Sequence, residues 1–267
     1  MRNYFLLFLF CLSLSGFTQG EKERKFFFGL NIGTKIANKN YASRYGGWYQ
    51  NELPNTLLNN PTHYQNVRYI LNDIDFTLPF DYFSQNMRYS PGLLTGLLFG
   101  YSLSPNLQAS VEANFNKLKV RDVFSIEVFD PSNQTSQEQY ELGEIYAEES
   151  RFNGKFNFDY ISDGERAKYI IGLSGLFGAW RIDQHIASFR GYQMNLFSVH
   201  NPTNNINNVV SGLGWGAGIN LGIEYRFKPS IVAQIMYQPN HAQYDFDFTP
   251  ARTLLIQHDL VVRILWK

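Results

Sequence analysis

Side chains along several stretches of this chain change character at every second residue. From Leu213 the odd positions read Leu213, Trp215, Ala217, Ile219, Leu221, Ile223, Tyr225 and Phe227, and the even ones Gly214, Gly216, Gly218, Asn220, Gly222, Glu224 and Arg226. Successive side chains of a strand point to opposite faces, so this is a strand with one apolar face and one of glycine, amide and charge. The same split sets Phe152, Phe156, Phe158 and Tyr160 against Arg151, Asn153, Lys155, Asn157 and Asp159. It also sets Leu107, Ala109, Val111, Ala113 and Phe115 against Gln108, Ser110, Glu112, Asn114 and Asn116. Weaker versions at Phe26 to Lys35, Ser90 to Leu103, Tyr169 to Arg181, Ile231 to Tyr244 and Thr253 to Lys267 bring the expected strands to eight.

The connections alternate in length. Ser104-Pro105-Asn106, Ser162-Asp163-Gly164-Glu165 and Lys228-Pro229-Ser230 are tight polar turns, whereas 36–89, 120–147, 182–209 and 240–252 read as long loops rich in Asn, Tyr and Gln. Short turns at one end and long loops at the other describe an up-and-down antiparallel barrel of the outer-membrane type, with periplasmic turns and surface loops. The long stretch 36–89 leaves a ten-strand barrel open, because Val67 to Leu78 can read as a strand extension or part of an extra hairpin.

Alternation alone also fits a soluble barrel with its apolar face inward. Two features favour a membrane barrel, all-β and transmembrane. The polar face carries Gly96, Gly100, Gly172, Gly178, Gly214, Gly216, Gly218 and Gly222, which suit a crowded interior and would weaken a solvated exterior. Mid-strand charges occur only on that face, and on a lipid face each would cost about 2–4 kcal/mol at mid-depth. Aromatics near strand ends, among them Phe26, Phe28, Tyr101, Tyr160, Tyr169, Tyr225, Phe227 and Trp266, fit interfacial girdles.

Composition supports export. Arg2, the apolar run Tyr4 to Leu14 and the small residues of Thr18-Gln19-Gly20 read as a signal peptide over residues 1–20, which leaves 21–267 as one barrel domain. Cys11, the sole cysteine, lies inside that signal, so the mature chain is expected to have no disulfide. Loss of Arg2 leaves the mature chain one negative charge in excess, which gives no support to nucleic-acid binding.

The opening strand Phe28-Gly29-Leu30-Asn31-Ile32-Gly33, the entry Ser90-Pro91-Gly92-Leu93-Leu94-Thr95-Gly96, the turn Leu103-Ser104-Pro105-Asn106-Leu107 and the aromatic last strand carry a family resemblance. The chain resembles the small outer-membrane β-barrels of Bacteroidetes-type bacteria, porin-family relatives of OmpA/OmpX-like barrels. The resemblance spans nearly all of the mature chain, and its motifs encode barrel geometry and not an activity. It implies a Gram-negative outer-membrane location, contact with lipid and lipopolysaccharide, and a last strand (Leu260, Val262, Ile264, Trp266) read by the barrel-assembly machinery, from which Lys267 after Trp266 departs.

An eight-stranded barrel is just wide enough for side chains to fill it. Glu112, Arg151, Lys155, Asp159, Glu224, Arg226, Asp259 and Arg263 are expected to face inward and to pair, because an unpaired buried ion is costly. Such a cluster reads either as a structural plug or as a narrow path for small solutes. Enzyme chemistry has only two weak candidates: Asp183-Gln184-His185 with Ser188, and His241 with Asp245 and Asp247. His63, His185, His200, His241 and His258 lack metal-ligand spacing, and no cofactor is implied. The loops, including Tyr41 to Tyr49, are left as the place where an envelope protein, a glycan or lipopolysaccharide would be met. The expected function is a structural or interaction barrel, with a channel as the alternative.

Overall fold

The structure is a computed structural model that describes residues 25–48, 51–79, 81–84, 86–132, 138–196, 211–228, 230–245 and 255–266. The expected signal peptide, His200, Asp247 and Lys267 lie outside the described residues.

Eight strands form the wall: β1 (Phe26–Ile36), β2 (Gly92–Ser104), β3 (Leu107–Val128), β4 (Gln139–Ile161), β5 (Ala167–Phe189), β6 (Ser211–Lys228), β7 (Ile231–Tyr244) and β8 (Ile256–Trp266). Each pairs antiparallel with the next. The ring closes with Phe28 opposite Trp266 and Ile36 opposite His258, so the barrel wall has no free edge.

The period-two pattern sets which face meets which medium. On β3 and β4 the outward residues run apolar from Leu107 to Phe115 and from Phe152 to Tyr160, the roughly 9–11 residues that a tilted strand needs to cross a bilayer. Rings gather where this belt meets the short turns, with Phe26 against Tyr101 at 4.8 Å, Phe28 stacked on Trp266 at 5.0 Å and Tyr225 against Phe227 at 5.0 Å. Inward glycines give the lumen its room. A Cβ at Gly100 would overlap the Phe27 ring, and one at Gly222 would overlap the Met236 sulfur.

Three strands are far taller than the belt. β3, β4 and β5 have 22, 23 and 23 residues, so the described residues of the segments assigned to loops from sequence, 120–147 and 182–209, are in large part strand. About twelve residues of β3 and β4 continue past the belt, on the order of 40 Å of strand. Along this extension the two faces exchange character. Leu118, Val120, Phe124, Ile126 and Val128 of β3 point inward and are buried, while Lys117, Lys119 and Arg121 point out to bulk water. A strand that leaves lipid must reverse its apolar face if it is to pack a core in water, and on β3 the reversal falls at Asn116/Lys117.

The inward face of the extension is covered by the segment after β1, and the barrel has eight strands with no extra hairpin in the ring. This segment folds as a cap of α1 (Lys39–Ala42), a 3-10 turn (Ser43–Tyr45), α2 (Glu52–Leu57), α3 (Pro61–Ile70) and two short strands, Phe76–Thr77 and Tyr89–Ser90. Val67 to Leu78, which the sequence leaves open as a strand extension or part of an extra hairpin, is the end of α3, a turn and Phe76–Thr77. Asn60 caps α3 by accepting from Thr62 N at 3.0 Å and His63 N at 3.3 Å, with Pro61 at the first helical position. The short strands and the Tyr82 carbonyl pair with the edge of β3 above the ring, while Tyr192–Asn195 pairs with β5. Edges that would otherwise stand open are thereby closed by the chain itself.

Candidate functional site: the filled lumen and its cap

The lumen is filled by two apolar clusters and a polar network. Phe27, Leu98, Val232 and Leu265 form one apolar cluster, and Leu94, Ile161, Ile170, Met236 and Val261 another. Sequence reading had left the lumen polar, because inward residues of β2, β7 and β8 alternate less cleanly than those of β3 and β4.

A polar network crosses the barrel. Glu112 of β3 pairs with Arg263 of β8 and accepts from Asn31 of β1 at 3.0 Å, Asn114 at 2.9 Å and Asn157 at 2.6 Å. Asp259 of β8 receives Lys155 at 2.7 Å, Lys35 at 3.0 Å and Asn240 at 3.2 Å. Asp159 accepts from Asn220 at 2.7 Å, and Glu224 from Gln234 at 2.9 Å. Bonds between strands on opposite sides of the ring, such as Lys155 of β4 to Asp259 of β8, close the lumen as ties.

Seven of the eight expected inward charges are thus buried, and Glu112, Lys155, Asp259 and Arg263 sit in direct ion pairs. Arg226 is the exception. It has the inward parity but lies exposed at the short-turn end of β6, where no lumen remains to cover it. Lys35 and Glu149 are buried partners that sequence reading missed. Lys35 lies at the end of the expected first strand with the parity of Asn31 and Gly33, and Glu149 lies one step beyond Arg151 with the same parity, so parity alone includes both.

Above the network the cap is latched to the wall. Arg151 pairs with Glu149, donates to Gln257 at 3.0 Å and sits 4.5 Å from the Tyr244 ring centroid and 5.3 Å from that of Tyr89. Glu149 Oε2 accepts from the cap hydroxyls of Tyr45 at 2.9 Å and Tyr89 at 2.7 Å. Both hydroxyls are held well above the usual tyrosine range, first by burial and then by the negative charge of Glu149. Tyr41 donates to the Ala242 carbonyl at 3.2 Å and accepts from Tyr244 N at 3.1 Å. Tyr41 and Tyr45, read from sequence as loop aromatics available to a partner, are in fact fully buried in this latch.

Among the described residues the candidate catalytic groups do not assemble. His185 points inward, with Nε2 3.1 Å from the Tyr45 carbonyl and Nδ1 3.5 Å from Glu52, which pairs with Arg44 at 2.9 Å. Asp183 is the extra residue of a bulge opposite Glu148/Glu149 and turns to Arg181 and Ser150. His185 therefore helps dock the cap, and neither Asp183 nor Ser188 shares its buried position. His241 Nδ1 accepts from Leu255 N at 3.2 Å, a bond that shapes the β7–β8 end. Among the described residues no cluster of His, Cys, Asp and Glu is arranged to hold a metal.

The sequence matches no family model and no curated protein. Solved structures similar to this chain include Neisserial surface protein A (NspA), at 9% identity and TM-score 0.43 over 91% of this chain and 96% of that one. Another is the outer membrane protein OprG of Pseudomonas aeruginosa, at 10% identity and TM-score 0.37 over 90% and 92%. A third is Ail, the attachment invasion locus protein of Yersinia pestis, at 9% identity and TM-score 0.30 over 91% and 97%.

Proposed function

We propose that this chain is an integral outer-membrane barrel, exported by residues 1–20, whose work is done by its capped extension outside the membrane. The single observation that carries this reading is the filled lumen, with cross-barrel ion pairs beneath a cap latched through Tyr45, Tyr89 and Glu149. A lumen tied across its width is a support and not a conduit.

The extension offers a contact face. Leu142, Tyr140, Phe129 and Val123 stand 66%, 50%, 51% and 45% exposed above the charged row of Lys117, Lys119 and Arg121. Isolated apolar residues are ordinary on a surface, but four at the tip of one tall sheet suit a protein partner in the envelope. Lipid and lipopolysaccharide wet the belt and the row above it, and β8 presents its aromatic end to the assembly machinery.

The test combines two measurements. Reconstituted protein is expected to give no single-channel conductance, and a photo-crosslinker at position 142 is expected to trap one discrete partner in intact cells that a crosslinker at outward belt position 156 does not. Steady conductance from the intact protein, or no adduct specific to position 142, overturns the reading.

A channel remains the second reading on one observation. Around Arg151, Asn116 makes no hydrogen bond through either amide atom, and Asn153 Nδ2, Asn240 Oδ1 and Gln257 Nε2 make none. Buried amides of this kind suit internal water. Conductance that appears only after deletion of the cap would support this second reading.

A further inference from the structure

The outer wall of the barrel holds a groove that the lumen and cap do not explain. At one level of the wall the outward residues of β2, β3 and β4 are Tyr101, Ala109 and Phe158, and at the next they are Phe99, Val111 and Phe156. Small residues on β3 between rings on both neighbours leave a slot of about 390 Å³, floored by the wall at Gly100, Ser110 and Asn157. Elsewhere the protein fills such a gap itself. Outward Gly154 on β4 lies under the Phe177 ring of β5, which a Cβ there would strike. Among the described residues no ring covers Ala109 in this way, and it lines the slot.

The slot lies inside the apolar belt, in its short-turn half. At its lower end Lys25 stands with Nζ 5.9 Å from the Tyr101 ring centroid. An apolar slot that opens on lipid and ends at a cation suits an acyl chain joined to a phosphate. We propose that this groove is a binding site for one glycerophospholipid, with an acyl chain lying along Ala109 and Val111 and the headgroup phosphate at Lys25. The site rests on the membrane orientation given above, which places it in the periplasmic leaflet.

The expected preference over bulk lipid comes from packing and charge. In a bilayer there is no water to expel, so retention depends on van der Waals contact. A chain in the slot touches rings on both sides and the wall beneath it, whereas a chain against a flat wall is touched on one side only. Lys25 adds an attraction for the phosphate that uncharged lipids do not receive.

Native mass spectrometry of the full-length barrel in mild detergent, with phosphatidylglycerol as the probe, tests the site. Wild-type protein is expected to retain one lipid. Ala109→Phe, which fills the slot with a side chain suited to the belt, should weaken the apparent lipid affinity roughly tenfold in a lipid titration, a readily resolved change. Ala233→Phe, at an outward position on β7, should leave it unchanged. Lys25→Gln should weaken retention of phosphatidylglycerol but not of diacylglycerol with the same chains. Equal retention by wild type and Ala109→Phe overturns the proposal, as does loss of lipid in both alanine variants alike. Retention of lipopolysaccharide in place of the phospholipid also overturns it. A heat-modifiable gel shift of each variant keeps failure of this site separate from failure of the barrel reading, because the shift reports the folded barrel whether or not lipid is bound.

Discussion

Tyr45 donates a 2.9 Å hydrogen bond to Oε2 of Glu149, tying the cap to the wall across 104 residues of sequence. The same carboxylate pairs with Arg151 and accepts from Tyr89, so a single buried group holds together a wall cation and two cap hydroxyls. Removing its charge leaves Arg151 in the interior without its counter-ion. Glu149→Gln is therefore expected to destabilise the folded protein by about 3–5 kcal/mol, in keeping with the loss of one partner of a buried pair. Tyr45→Phe, which removes one donor of two, is expected to cost about 1.5–3 kcal/mol. Urea unfolding in detergent micelles with limited proteolysis of the cap would show both, and equal stability of Glu149→Gln and wild type would refute the latch.

Alkaline pH should act on the same contact. The hydroxyls of Tyr45 and Tyr89 are raised above the ordinary value of 10.0 by burial and by Glu149. A group whose folded pKa exceeds its unfolded one stabilises the fold fully below the unfolded value, and that contribution is lost as pH rises toward the folded value. Cap protection against protease is thus expected to be constant up to about pH 10 and to fall above it. Tyr45→Phe/Tyr89→Phe should flatten this alkaline loss. A double variant with the wild-type pH profile would show that other groups govern cap release.

The belt was legible in the sequence because lipid imposes one rule on every strand that crosses it. Leu107 to Phe115 and Phe152 to Tyr160 show period two, broken only by outward Gly154, and register follows from that pattern once the short turns are placed. The extension was not legible for a related reason. At Asn116/Lys117 the faces exchange, so a reader following apolar residues outward sees the pattern fail and infers a loop. The cap was hidden differently. Its helices α1 and α2 have four and six residues, too few to display a helical period, although Asn60-Pro61 before α3 is a helix-start signal that went unused. Parity inside recognised strands marks buried charges such as Glu112 and Lys155, but it weakens at strand ends, where Lys35 is buried, Arg226 is exposed and Glu149 borders a supposed loop. The bulge at Asp183 shifts parity between Ile182 and His185, and no spacing in the sequence announces it.

Glu112 and Arg263 provide a test of the lumen independent of the cap. Glu112 accepts from Arg263, Asn31, Asn114 and Asn157, so Glu112→Gln exchanges a matched acceptor for a group that also donates, and leaves the Arg263 charge buried. The single variant is expected to lose about 3–5 kcal/mol, and Glu112→Gln/Arg263→Met to recover most of it, because removing both charges also removes their desolvation cost. Equilibrium unfolding of the two variants gives the comparison. A double variant no more stable than Glu112→Gln would mean that the surrounding amides, and not the ion pair, set the energy.

The exchange of faces on β3 and β4 predicts where the membrane ends, and two arginine substitutions can measure it. Phe156 faces outward in the middle of the β4 belt, and Leu142 faces outward in the extension of the same strand. If lipid covers the first and water the second, Phe156→Arg should destabilise the barrel by about 2–4 kcal/mol, the cost of a cation at mid-depth. Leu142→Arg should change stability by less than about 0.5 kcal/mol, as substitutions at solvated surface positions do. Folding of both variants into lipid vesicles, monitored by the heat-modifiable gel shift across a urea series, gives the two values. Similar costs at both positions would place the boundary above Leu142 and put the whole of β4 in lipid. No cost at either would return the apolar face of the barrel to water, and with it the soluble alternative that alternation alone cannot exclude.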